Sequence, residues 1–270
     1  MQVLKVVLDG VTTSFRYPHF LVGRHPSLPM PPPSTVYGHI CSAYGSFVDA
    51  SQLRFAYSFR YAGVGDDVEH LQIIEEVLVY KRRRRGTRGK SAQGTGEAVV
   101  PNLMVKVGPV SRELLLFPHL ELYVAAKSED LLQKLNEAFY RPAYPVVLGR
   151  SQDLCSYKSV EIVELERSTD AYFEDALLPW QYRMRTTAGF MVRMPKFIDP
   201  SDRRRVVWGD YLVLRGRALL EDGEPGPTRV SLSNGEAEWV DPTTTLVGGR
   251  RRAVVWHSFT QEEQRQSGPS

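Results

Sequence analysis

The chain passes from loop to helix within PPPSTVYGHICSAYGSF, residues 31–47. Proline fixes φ and lacks a backbone N–H, so residues 15–33, which include six prolines, are predicted to be an extended loop. Ser34-Thr35 offers N-cap hydroxyls directly after the prolines. An apolar stripe follows at helical spacing: Val36, Ile40, Ala43 and Phe47. The stretch therefore predicts a helix of roughly three turns.

Strand and helix patterns lie on both sides of this helix. Strands are predicted at residues 2–8, 52–61, 71–80, 98–107, 113–126, 145–148 and 160–165. Ser128 is predicted to cap a second helix that ends at Arg141-Pro142, with Glu129 and Asp130 in its first turn. The order β-α-β-β-α-β over residues 1–166 is that of an α+β, ferredoxin-like (RRM/RAMP) domain, in which both helices cover one face of the sheet. We expect the other face to be available.

Composition divides the chain. We assign residues 1–168 to the ferredoxin-like domain, 169–258 to a smaller β-rich region and 259–270 to a flexible tail. The β-rich region contains all four tryptophans, strand-like runs at 186–194 and 206–214, and an Asn234-Gly235 turn. The basic run and the glycine-rich residues 86–96, which lie between the strands at 71–80 and 98–107, are expected to form a long hairpin excursion.

Positive charge is concentrated in that excursion. The run KRRRRGTRGK at 81–90 has seven basic residues and no acidic one, although the net charge of the whole chain is only +3. Adjacent guanidinium groups repel one another unless an anion neutralises them, and glycines let a backbone approach a phosphate chain closely. Solvated decoration is the alternative, but we favour a nucleic-acid contact. The candidate residues are Arg82, Arg83, Arg84, Arg85, Arg88 and Lys90.

Other familiar sites are disfavoured. Gly89-Lys90-Ser91 lacks the earlier glycine and the following helix of a phosphate-binding loop. Cys41 and Cys155 are far apart and show no metal-ligand spacing. We predict no metal and no cofactor. The sequence shows neither a signal peptide nor an apolar stretch near the ~20 residues that a membrane span needs, so we expect a cytoplasmic protein without a membrane partner.

Two loops could bind phosphate. The run at 31–38 directs helix N–H groups outward beside two hydroxyls, and Gly149-Arg150-Ser151-Gln152-Asp153 combines a cation with amide and hydroxyl donors. Simple capping and a plain turn are the alternatives, which the residues alone leave open.

The proline loop could also support catalysis. Acid–base cleavage of RNA needs a base, an acid and a cation near one phosphate, and Tyr17, His19, Arg24 and His25 are suitable groups. Loop histidines more often contact solvent, backbone or ligand, and His119 is expected to be structural. A metal-independent endoribonuclease is therefore the less favoured alternative.

Several motifs together resemble the CRISPR-associated Cas family five, the RAMP-type subunits of type I Cascade complexes. They are the N-terminal strand, GRHPSLP at 23–29, PPPSTVYG at 31–38 and YPVVLGRSQDL at 144–154. The resemblance covers about residues 1–166, and the proline loop is most similar to the type I-B branch.

The resemblance implies a subunit that binds the 5′ handle of the CRISPR RNA and caps one end of the complex. Its partners would be the backbone RAMP subunit, the large PAM-recognising subunit and, near the PAM end, target DNA. The family's thumb would fall on residues 81–110. Ser34, Thr35, Tyr37 and Gly38 would lie near the handle and Arg150 in the second loop, with further RNA contacts expected from Arg16, Tyr17, Arg24, His25 and Gln152.

Members of the family in type I-C systems also cut precursor RNA, with Tyr, Lys and His residues proposed for the chemistry. This sequence has no convincing Lys-His pair in the middle of the domain. We therefore predict a subunit that recognises RNA and does not cleave it.

Overall fold

The computed structural model describes residues 1–20, 23–82, 98–184, 189–202, 205–215, 217–219, 225–227 and 237–260. Two helices are present in these ranges, α1 (Pro33–Tyr44) and α2 (Glu129–Tyr140), with short 3-10 helices at Ala50–Gln52 and Trp180–Met184. The strands up to Glu164 are β1 Gln2–Gly10, β2 Thr12–Thr13, β3 Arg24–His25, β4 Leu53–Arg60, β5 Gly63–Arg82, β6 Ala98–Leu116, β7 His119–Ala126 and β8 Cys155–Glu164. Those that follow are β9 Glu166–Ser168, β10 Ala171–Tyr172, β11 Leu177–Pro179, β12 Phe190–Ile198, β13 Val206–Val213, β14 Arg217–Leu219, β15 Pro225–Pro227, β16 Glu238–Val240, β17 Arg251–Val254 and β18 His257–Ser258.

A five-stranded sheet in the order β18-β4-β7-β1-β8 organises this α+β fold, and all of its neighbouring strands are antiparallel. Successive side chains of a strand point to opposite faces. Leu4, Val6 and Leu8 of β1 accordingly point to the face that carries α1 and α2, where they are fully buried in the main core.

Helix α1 begins at Pro33, before the predicted cap at Ser34-Thr35. Its N-cap is Pro32, which makes no side-chain cap, and Pro33 occupies the first helical position, so the prediction of a Ser34-Thr35 cap is wrong. Proline suits that position because its missing N–H has no intrahelical partner there. The helix ends at Gly45, whose φ of 87° is left-handed, so Phe47 lies beyond the helix and is 65% exposed.

The structure confirms the predicted second helix, α2. The Ser128 side chain accepts a hydrogen bond from the N–H of Leu131, and Glu129 and Asp130 occupy the first turn. The buried stripe consists of Leu132, Leu135 and Phe139.

Strands β5 and β6 form one long two-stranded ribbon, paired from Gly63 with Leu116 to Arg82 with Ala98, with one register shift between Ile74 and Glu76. At about 3.3 Å per residue, the twenty residues of β5 span up to roughly 65 Å. At its root β6 also pairs with β2 and β3. The hairpin thus starts well before the predicted residue 81, and residues 83–97 lie outside the described part of the chain.

The predicted strand 113–126 is two strands. It is interrupted at Phe117-Pro118, because proline cannot donate to a ladder and Phe117 adopts a left-handed φ of 52°. The predicted strand 145–148 is only an isolated bridge between Val147 and Leu154. Strands β12 and β13 correspond to the runs 186–194 and 206–214, whereas Asn234-Gly235 and residues 261–270 lie outside the described ranges.

The second face of the sheet is covered, which corrects the expectation that it is available. Val3, Tyr123 and Val163 from the sheet pack there against Val254 of β17. The Lys5 Nζ lies 2.6 Å from an oxygen of Asp241, whose side chain is fully buried and also accepts a hydrogen bond from Tyr123. An RRM-like open sheet surface is therefore not accessible here.

The residues after 168 are part of the same body. Strand β18 extends the central sheet, and Val192, Met194 and Tyr211 belong to the main core. Phe259, assigned to the tail by sequence, stacks on Phe55 with ring centroids 4.5 Å apart and is buried. No helix within the described ranges is long and apolar enough to cross a bilayer.

We expect Lys5→Met to lower the free energy of unfolding by about 3–5 kcal/mol, because it leaves the buried Asp241 carboxylate without its cation. Urea denaturation measures the change. In the double variant Lys5→Met, Asp241→Leu, much of the loss should be recovered, since no buried charge then remains unpaired. A single variant as stable as the unsubstituted chain would contradict this account.

Stability should fall in mild acid. Burial lowers the pKa of His257 to about 4, against about 6.5 in an unfolded chain. The folded state favours the neutral ring, so its contribution is complete above about pH 6.5 and is lost as the pH falls towards 4. Burial also lowers the pKa of His39, so His257→Gln should flatten only part of the drop measured by denaturation between pH 7 and pH 4. An unchanged pH profile in that variant would refute the assignment.

Candidate nucleic-acid interface

An open cleft of about 590 Å³ lies at the root of the β5–β6 ribbon. Its walls come from segments that are far apart in the sequence: the β2–β3 loop, the start of α1, the ribbon and the loop before β8. The lining residues are Ser14, Phe15, Arg16, Thr35, Glu69, His70, Arg112, Gly149, Arg150 and Gln152. The structure therefore brings together four of the predicted site residues, Arg16, Thr35, Arg150 and Gln152.

Two features of the cleft favour an anion. Arg16 is exposed, and no described carboxylate lies within 4 Å of its guanidinium group. Thr35 is the third residue of α1, whose first turn contains no acidic side chain. No acidic side chain in the first turn of α1 therefore neutralises the positive end of the helix dipole, which lies at the cleft wall.

Gly149 fixes the loop opposite α1. Its φ is 96°, and a Cβ there would stand 2.5 Å from Thr13 Oγ1 and 2.8 Å from the Ser14 carbonyl oxygen. Only glycine combines this left-handed backbone with so close an approach. The Thr13 hydroxyl donates a hydrogen bond to the Leu148 carbonyl, which joins the loop to the edge of the cleft.

Arg150 holds the cleft together and is not a free phosphate ligand. Its guanidinium donates to Asp153 at 2.7 and 2.9 Å, to Glu69 at 2.6 Å and to Asp67 at 3.3 Å. Hydrogen bonds from this arginine to Asp153 and Glu69 raise the pKa of Arg150 further. The expectation that Arg150 grips RNA directly is therefore not met in this geometry, because carboxylates occupy its donors.

Glu69 joins the ribbon to the Gly149 loop. It accepts a 2.6 Å hydrogen bond from Arg112 of β6 and another of the same length from Arg150. Burial acts to raise the pKa of Glu69, but the hydrogen bonds from these two arginines outweigh it and lower that pKa. Together with Asp67, which accepts a 3.3 Å hydrogen bond from Arg150, Glu69 fixes the root of the ribbon to the Gly149 loop.

The family of the chain follows from a comparison of its sequence with family models. The model Cas_Cas5d, described as CRISPR-associated protein (Cas_Cas5), matches residues 3–215, which is most of the chain. The chain is a member of the Cas5 family. A search of curated proteins found no match.

Solved structures similar to this Cas5 protein are distant in sequence. One, named a CRISPR RNA-guided surveillance complex, has 16% identity and a TM-score of 0.44, with 86% of this chain and 92% of the other covered. A second, "Crystal structure of Cas protein", has 15% identity, a TM-score of 0.36 and coverage of 79% and 95%. A CRISPR protein from Archaeoglobus fulgidus has 11% identity, a TM-score of 0.45 and coverage of 96% and 100%.

Other predicted site residues of the Cas5 protein lie away from the cleft surface. Arg24 is exposed, but its guanidinium lies 3.0 Å from both Asp66 and Glu113. The His25 ring is 2% exposed, and neither of its nitrogens has a hydrogen-bond partner among the described residues. Tyr17 is half-buried and packs edge-on against Phe20. A role for the His25 ring at an accessible RNA phosphate is thus contradicted by its burial.

The α1 residues divide between core and surface. Tyr37 is buried, and its hydroxyl donates to the Val48 carbonyl. This residue therefore belongs to the core, whereas the resemblance implied a position near the RNA handle. Ser34 is half-buried. Gly38 is exposed on the helix, with open space where a side chain would stand.

The basic run is described only at its start. Arg82 is the last residue of β5, and its side chain is outside the described atoms; Arg83, Arg84, Arg85, Arg88 and Lys90 also lie outside the described residues. Their role stays a prediction.

Sequence reasoning missed Glu69, His70 and Arg112. The available signal was the spacing of Asp67 and Glu69 in GVGDDVEHL at 63–71, because a strand directs two side chains spaced two residues apart to the same face. It could not indicate that β6 and the Gly149 loop would meet there.

Two glycine substitutions should have opposite effects. Gly149→Ala should lower the free energy of unfolding by roughly 2 kcal/mol or more, because it combines backbone strain with a steric clash. Gly38→Ala, in an exposed helix with open space, should raise it by about 0.5–1 kcal/mol. Thermal and urea denaturation measure both. Equal effects at the two sites would contradict the described loop geometry.

Proposed function

We propose that this Cas5 protein is the CRISPR RNA-binding subunit of a type I Cascade complex in the cytoplasm. In this proposal it clasps the 5′ handle of the CRISPR RNA in the cleft at the ribbon root. It thereby caps one end of the complex, where it contacts the backbone RAMP subunit and the large subunit, with target DNA near the PAM end.

One observation carries the proposal. Arg16, Thr35 and Gln152, which come from three distant segments, line one cleft at the root of a ribbon whose far end leads into KRRRRGTRGK. A single strand that contacts both the cleft and this basic run could therefore have its phosphates neutralised at each of them.

The architecture supports a RAMP assignment. Within the central sheet, the strands β4-β7-β1-β8 and the helices α1 and α2 follow one another along the chain as β-α-β-β-α-β. We assign this unit as ferredoxin-like, with β5 and β6 as the thumb. Because its second face is covered, we place the RNA along the loops at one end of the sheet.

Recognition of an RNA strand in the cleft needs only a few charged side chains that are not already paired with carboxylates. The Arg16 guanidinium is positioned to contact a phosphate, while the Thr35 hydroxyl and the positive end of α1 contribute neutral donors and a dipole. Exposed His70 and Gln152 lie at the same opening. These groups suit the shape of a bent backbone more than the identity of a base.

We further propose that the subunit recognises RNA without cutting it. Of the four groups that could form a nuclease site, the His25 ring is buried and Arg24 is engaged by two carboxylates. His19 is exposed, but its ring stacks on Trp208. This placement supports a recognition role.

Replacing Arg82 to Arg85 and Arg88 with glutamine should weaken binding of handle RNA strongly and flatten its salt dependence. For a single strand, every phosphate that is no longer neutralised reduces the steepness of log affinity against log salt by about 0.7. Fluorescence anisotropy at several salt concentrations measures the slope. A variant that neutralises Lys134, Arg141 and Lys158, on the α2 and β8 side of the fold, is the control and should leave the slope close to that of the unsubstituted protein.

An unchanged slope in the ribbon variant would count against the proposal. Incubation with repeat RNA in a chelator tests the catalytic alternative. Site-specific cleavage that disappears in His19→Ala or His25→Ala would establish an endoribonuclease instead.

A further inference from the structure

A second groove, of about 430 Å³, lies away from the cleft between the 3-10 helix Trp180–Met184, the β12–β13 pair and β18. Three of the four tryptophans line it: Trp180, Trp208 and Trp256. All three are half-buried, although the cores of the molecule are filled mainly by Leu, Val and Phe. Several large rings that share one opening indicate a contact surface.

The groove is a formed feature of the fold. The Tyr211 ring lies so close over Gly209 that a Cβ there would stand 2.6 Å from the Tyr211 hydroxyl. The neighbouring His257 ring is buried and bonded to the Leu177 carbonyl at 2.8 Å. Close packing therefore holds the groove floor in place.

Cations accompany the indole rings. The Arg183 guanidinium lies 4.6 Å from the Trp180 ring centre, and that of Arg54 lies 5.6 Å from the Trp256 ring centre. Lys196 lines the groove and donates to the Thr260 carbonyl. Asp210 is the acidic residue among the lining residues, and Arg193 lies 3.9 Å from it.

These charges select the class of ligand. A quaternary ammonium or a basic peptide would need aromatic faces without neighbouring cations. A planar ring on an anionic chain instead fits both features, because it can stack on indole while its phosphates lie near guanidinium groups.

We propose that the tryptophan groove, defined by Trp180, Trp208 and Trp256, stacks an unpaired base of a single nucleic-acid strand. The exposed His19 connects it to the proline loop, since its ring stacks on Trp208 with centroids 5.8 Å apart and planes at 20°. Arg16, three residues earlier, lines the cleft. For RNA, the inference rests on the proposed function, because the strand leaving the cleft is the one that reaches the groove.

Photo-cross-linking locates the base without any substitution. The full chain is irradiated with a 20-nucleotide single strand that carries 5-iodouracil, prepared once as RNA and once as DNA, and the adduct is mapped by mass spectrometry. We expect an adduct on a peptide containing a groove tryptophan. The arm that gives it identifies the strand as RNA or DNA, and adducts confined to other surfaces in both arms would refute the groove.

Affinity measurements test the same site. Trp208→Ala should weaken binding of the favoured strand about 10-fold, as expected when one base can no longer stack, whereas Trp208→Phe should retain most of the affinity. Trp239→Phe, in a tryptophan outside the groove and stacked by Arg167, is the matched control and should bind normally. Circular dichroism checks that each variant folds.

The two proposals can fail separately. If the ribbon variant loses RNA affinity while Trp208→Ala binds normally and the groove gives no adduct, the groove is refuted and the handle-binding function stands. If Trp208→Ala weakens binding while the ribbon variant keeps its salt slope, the groove stands and the handle function is refuted.

Discussion

The buried pair between Lys5 and Asp241 constrains the rest of the molecule. Lys5 comes from strand β1 of the central sheet and Asp241 from the residues after β16, so the pair fastens the C-terminal part of the fold onto the sheet. Burial acts to raise the pKa of Asp241, but hydrogen bonds from Lys5, Thr243 and Tyr123 lower it, which keeps the carboxylate ionised inside the protein. A charge buried in this way needs its partner, so the C-terminal strands cannot easily leave the sheet. The C-terminal strands consequently confine the second face of the sheet, which is covered and not an open surface.

That confinement explains why two surfaces, and not an open sheet, are the candidates for nucleic acid. The cleft uses one exposed arginine, a helix end and polar donors, and it is shaped by carboxylates that engage the remaining arginines. The tryptophan groove uses rings with cations at their sides. Phosphate contacts and base stacking are thereby assigned to different parts of the chain, linked through the proline loop that contains Arg16 and His19.

Sequence patterns predicted the fold well wherever interactions between neighbouring residues determine the structure. The Ser128 cap and the α2 stripe depend on neighbours within a few residues. The predicted loop at 15–33 instead contains β3, because Arg24 and His25 pair with the distant strand β6. The site was only partly predictable, because roles there depend on partners far away in sequence. Arg150 meets Glu69 across 81 residues, and Tyr37 turns into a core that includes Phe259. The family resemblance marked Tyr37 as a ligand group, and loop chemistry together with the resemblance marked Arg150. The covered second face of the sheet could not be foreseen from strand alternation either.

The hydrogen bonds at Glu69 affect the position of the end of β5. Beyond Glu69, β5 continues for thirteen residues to Arg82, a distance of about 40 Å. A tilt of about 5° at this pivot would sweep the end of β5 through about 4 Å, close to the spacing between neighbouring strands. Any small rearrangement among Glu69, Arg112 and Arg150 at the root would therefore be amplified at the end of β5.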